Sequence, residues 1–173
     1  MGGVTALVAV GGAAGALARL DQEVVGVAMR AYSDPGMALP TGDAFAAQVA
    51  DVHRAAKEDM AGADQEAIRD FLRLVAQRRG LPEPHPVGLD FDAAVMGEWP
   101  ADLFAKASKL VWERFAEMRV PNPPDFRVFI EDDLAERHRR LAALHTLEKR
   151  LETVARRGHQ IPADSFGGGS GGA

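Results

Sequence analysis

The chain has 173 residues, 47% hydrophobic and 26% charged, a balance that speaks against a disordered chain and leaves room for one domain with appendages. Its formal net charge of −5 lacks the basic footprint of a free-standing nucleic-acid binder. It has no cysteines, which excludes disulfides, thiolate nucleophiles and cysteine-based zinc sites and fits a cytoplasmic setting.

Aromatic residues make up only 6% of the chain, so the core must come mainly from Ala, Leu and Val. Residues 4–20 are apolar but lack the positive start of a signal peptide. Gly11, Gly12 and Gly15 leave this run short and weak for a spanning helix. A small-residue helix packed on the body is expected there, with no membrane role. Residues 22–32 carry a short helical pattern at Val24, Val25, Val27, Ala28 and Ala31, stopped by Asp34-Pro35-Gly36. Thr41 or Asp43 can cap the next helix, whose apolar face is Phe45, Val49, Val52 and Ala56, with His53 beside it.

A turn over 61–64 starts another helix with a stripe of Ile68, Phe71, Leu72 and Val75. Arg78 and Arg79 suit its C-terminal dipole and Gly80 its C′ position. Three prolines over 81–88 predict a linker, and 90–97 a short helix or turn. Pro100 suits the first turn of a helix bearing Phe104, Ser108, Val111, Phe115 and Met118, which must end before Pro121. A long helix from about Pro124 to Arg157 closes the order, with Asp125, Glu131, Asp132 and Asp133 early and Arg156 and Arg157 late. Its stripe of Phe126, Ile130, Leu134, Leu141, Leu144, Leu151 and Val154 drifts around the axis, which suits packing on helices or a partner rather than a coiled-coil seam.

The expected fold is all-α: a bundle of five or six helices with a long C-terminal helix. The expected division is an Ala/Gly-rich helical segment over 1–40, the bundle over 41–160 and a flexible Gly-rich tail over 161–173.

No catalytic constellation is visible, and no cofactor or metal site is expected. Asp132-Asp133-Leu-Ala-Glu136 matches a DDxxE pattern, but no second acidic cluster accompanies it, and acids early in a helix have an electrostatic reason to be there. His138 and His145 are seven residues apart, about 10 Å of helix rise, too far to share one metal. Gly11-Gly12-Ala-Ala-Gly15 lacks the lysine and the strand of a phosphate loop. The paired bases Arg78-Arg79, Arg139-Arg140, Lys149-Arg150 and Arg156-Arg157 are interleaved with acids, as on solvated helix faces. Trp99, Trp112 and Phe115 at helical spacing suit a core, with contact surface as the alternative.

Residues 90–157 resemble phage and prophage replication proteins of the helicase-loader or replisome-organiser kind. The likeness rests on Glu98-Trp-Pro-Ala-Asp-Leu-Phe104, the stretch 107–112 ending in Trp112, Pro121-Asn-Pro-Pro-Asp-Phe-Arg127, and the Arg/Leu/Ala-rich 134–157. It has no equivalent in the first 60 residues, and the acidic charge departs from members that grip DNA directly. The resemblance implies a non-catalytic accessory protein of DNA replication that binds a replicative helicase or another phage or host protein, with nucleotide hydrolysis left to the partner. The candidate contact residues are Trp112, Phe126, Arg127, Arg139 and Arg140. A phage assembly or chaperone-like protein, and the helical lobe of an atypical kinase of the ubiquinone-biosynthesis type, are the alternatives.

Overall fold

The computed structural model describes residues 21–159, so the expected helix over 4–20 and the tail over 161–173 lie outside the described residues. Among the described residues there are seven helices and no strand, as an all-α fold requires. Helix α1 (Gln22–Ser33) starts where the Asp21 carboxylate accepts from the Glu23 and Val24 N–H groups, at 2.9 and 3.3 Å. Helix α2 (Asp43–Glu58) starts at Gly42, whose φ of 129° is open only to glycine, rather than at a Thr41 or Asp43 side-chain cap. Helix α3 (Gln65–Arg78) is capped by Asp64 and leaves through Gly80 at φ 67°, the C′ position its sequence indicates.

The proline-rich stretch after α3 is shorter than the expected linker. Pro86 opens a twelve-residue helix, α4 (Pro86–Gly97), in which its missing N–H costs nothing and His85 caps through Nδ1 to the Val87 N–H. Helix α5 (Ala101–Arg114) ends at Phe115, before the expected proline stop, so Met118 lies exposed in a loop and not on a helix face. The expected single rod from Pro124 is also divided. Pro123 and Pro124 open the one-turn helix α6 (Pro123–Arg127), and a turn at 128–130 precedes α7 (Glu131–His159). The seventh helix comes from that division.

Two apolar clusters form the core. The first gathers α3, α4, α5, α6 and the start of α7, through Ile68, Leu72, Met96, Val111, Phe126 and Ile130. At its centre Phe71, Phe104 and Phe126 touch pairwise with ring centroids 5.9–6.2 Å apart. The second gathers α1, α2 and the later turns of α7, through Val24, Ala28, Val49, Val52, Leu144 and Leu147. Helix α1 packs on α2 and α7 and shares this cluster with them. Arg150 reinforces this packing: its guanidinium donates to Ala31 O at 2.9 Å and Met37 O at 2.7 Å, closing the carbonyl end of α1.

The connections at either end of the α3–α4 hairpin approach each other closely. Ala63 N–H donates to Trp99 O at 3.0 Å and Ala101 N–H to Ala61 O at 3.1 Å, an isolated bridge between Gly62 and Pro100. A Cβ on Gly62 would stand 2.1 Å from Gly97 O. Gly62→Ala should therefore push the two backbones apart and cost about 1–3 kcal/mol, read from urea denaturation. Phe126→Ala should cost about 3–5 kcal/mol by the same measurement, since the ring is fully buried.

Candidate functional site

The five expected contact residues do not form one surface. Phe126 is core. Trp112 is half-buried, tilted against Phe71 at 6.3 Å and covered by the Arg78 guanidinium 3.9 Å from its ring centroid, which makes it the rim of the first cluster. Arg127 is exposed and 3.5 Å from Glu131. Arg139 and Arg140 both pair with Glu136, at 2.9 and 2.7 Å. Those two lie at least eight residues beyond Glu131, about 12 Å of helix rise away from the Arg127 pair. The acidic DDxxE stretch is likewise an ion-paired helix face: Asp133 meets Lys106 at 2.5 Å and Glu136 is shared by the two arginines.

Helix α4 presents a feature that sequence reasoning missed. Its inner face buries Leu89, Ala93 and Met96, while Val87 and Phe91, one turn apart on another face, are 70% and 69% exposed. The exposed Val128 follows the neighbouring α6, on which α4 packs.

Two polar groups of another kind lie along α7. Arg137, 8% exposed, sits between the two apolar clusters. Its fork takes both Asp102 oxygens, at 2.9 and 2.5 Å, and its Nη1 also meets Asp59 O at 3.0 Å and Asp59 Oδ2 at 3.2 Å. Burial pushes the Asp59 carboxyl above its ordinary value, and the Asp102 charge adds to this, against the pull of Arg137 and Arg140. The other Asp59 oxygen, Oδ1, has no protein partner. Near the first turn of α6 the balance is opposite. Burial there is outweighed by hydrogen bonds from Arg119, at 2.7 and 2.8 Å, and from the Asn122 N–H at 2.7 Å, so the Asp125 carboxyl falls below its ordinary value.

Further along α7, His145 and Glu148 face α2, where His53 is 2% exposed. His53 Nδ1 lies 2.8 Å from Glu148 Oε2, and the two imidazole rings are 5.6 Å apart between centroids. One donor atom from each of the three side chains falls within 4.8 Å of the others. His145 is exposed and lines a groove of about 1040 Å³ between residues 37–46 and the last turns of α7. The sequence pairs His145 with Glu148 at i, i+3 on one helix face, but His53 lies 95 residues from Glu148 and only the α2–α7 packing brings it in. His138, the histidine considered with His145, is not part of this group. No family model, curated protein or solved structure matches the chain.

The Asp59 shift has a sign that can be measured. With its folded value raised, the native state holds this proton more tightly than the unfolded chain. Stability from this group is full below the ordinary value of 3.8 and is lost as pH rises through the raised one. Asp59→Asn should therefore be at least as stable as wild type at pH 7, with its advantage vanishing below pH 3.8. Arg137→Met, which leaves Asp59 and Asp102 without their cation, should lose about 3–5 kcal/mol at pH 7. Urea titrations at the two pH values check both.

Proposed function

We propose that this chain is a non-catalytic helical adaptor of the phage DNA-replication type, which holds a replicative helicase by protein contact. The observation that carries this is α4. Helix α4 is rich in apolar residues and carries charge only at Asp90 and Asp92, on either side of Phe91, yet Val87 and Phe91 are left open. An uncovered phenylalanine beside a branched aliphatic residue on a rigid, well-anchored helix has the chemistry of an interface anchor. Arg127 and Val128 are exposed at the end of the adjoining α6, a charge and a further apolar group on a neighbouring element. Arg127 also closes Pro121-Asn-Pro-Pro-Asp-Phe-Arg127, one of the stretches that carry the resemblance to phage replication proteins. Of the contact residues expected from that resemblance, Arg127 is exposed beside this helix. Phe126 acts from beneath by anchoring α6, and Trp112 by closing the rim of the same core.

Capture of the full chain from its native host tests this. The replicative helicase should be retained by wild type and fall at least about tenfold on Phe91→Asp. The far-UV circular dichroism should be unchanged, because Phe91 contributes little to the core. Retention that is equal on wild type and variant, or no helicase on wild type, would sink the proposal.

A further inference from the structure

We infer that His53, His145 and Glu148 form a zinc site that clamps α2 to α7 and keeps one coordination position open to the neighbouring groove. The donor set is two imidazoles and a carboxylate, which suits a borderline-soft divalent ion such as Zn²⁺. With metal–ligand distances of about 2.0–2.1 Å, ligand atoms in a tetrahedron stand about 3.3–3.4 Å apart. The separations here, from the 2.8 Å of His53 to Glu148 up to a limit of 4.8 Å, bracket that edge.

The supports are unequal in a useful way. His53 is held from the buried side, among α2 residues whose neighbours Val49, Val52 and Ala56 are core. Glu148 is half-buried, and among the described residues no lysine or arginine forms an ion pair with it. Its charge therefore remains available to a cation. His145 is exposed, so its ring can reorient and an ion can enter from its side. Three protein ligands leave a fourth tetrahedral position, and His145 is the member of the set that lines the groove from which that position would be filled. Water or a small ligand from the groove fills it.

The arrangement also sets the effect of binding. The ligands come from two helices of the second core, so zinc bound to the folded chain opposes their separation. At zinc about 100-fold above its dissociation constant, the melting temperature should rise by about 5–10 °C.

The experiment uses the full chain after chelator treatment and dialysis, with ZnCl2 as titrant in calorimetry and CoCl2 as a spectroscopic substitute. Wild type should take up one zinc per chain, and its cobalt complex should show the strong visible absorption of a four-coordinate site. His145→Ala should weaken zinc binding at least about tenfold while leaving the metal-free melting temperature unchanged, because His145 is exposed and the His53–Glu148 contact stays intact. Glu148→Gln should weaken it similarly, with the His53 hydrogen bond retained. His138→Ala, on the same helix but outside the cluster, should bind as wild type does. No stoichiometric uptake by wild type overturns the site, and so does equal affinity in wild type and His145→Ala. Neither result bears on helicase capture through α4, so the two proposals fail separately.

Discussion

The guanidinium of Arg137 lies where the two apolar clusters meet on α7, and its fork reaches the end of α2 through Asp59 and the first turn of α5 through Asp102. Leu144, Leu147 and Leu151 are among the apolar groups that α7 buries, but leucines on a helix face tolerate sliding by a fraction of a turn. A bidentate fork does not. Arg137 thus sets the position of α7 against both halves, while the leucines supply the adhesion. One cation faces two acids, and burial, with the Asp102 charge adding to it, raises the affinity of Asp59 for its proton.

That constraint depends in turn on a backbone approach. The bridge between Gly62 and Pro100 lies three residues after Asp59 and two before Asp102, so it holds the two carboxylates on the same side of Arg137. A side chain at 62 would meet Gly97 O and open the gap that Arg137 spans. The aromatic cluster works on the same elements from the other side. Phe126 arrives on α6, and its contacts with Phe71 and Phe104 tie α3 and α5 to the segment that leads into α7. Arg119, paired with Asp125, keeps α6 turned so that this ring points inward.

Features encoded within a few residues were legible in the sequence. Gly80, the turn that places Asp64 before α3, and the acidic start of α7 all act within one helical turn, and the helices on either side stand where their apolar spacing puts them. Proline was harder, because one residue type both stops and starts helices. Pro86 and Pro123 look like linker residues, but each occupies a first-turn position where its fixed φ helps. Burial of an aromatic next to a turn was harder still. Phe126 follows Pro124 in a polar context, and only the arrival of Phe71 and Phe104 makes it core. The exposed side of α4 and the partners of Arg137 and His53 were illegible for one reason. They depend on which helices become neighbours, over separations of 78 and 95 residues.

The two polar groups that α7 carries into the interior differ in a way that bears on function. Arg137 is 8% exposed and its charge is matched within the chain by Asp59 and Asp102. The group around His53 is not closed. It holds a carboxylate that no arginine or lysine neutralises among the described residues, and it opens on a groove through His145. Polar side chains gathered only for packing are expected to satisfy one another fully, because each unmatched group costs free energy when it is buried. A cluster left with donor capacity on its solvent side instead has the form of a ligand set, with the buried member fixing direction and the exposed member admitting the ion. The α4 surface follows the same logic in apolar terms: a side of the molecule left unmatched by its own chain is where another molecule's chemistry fits.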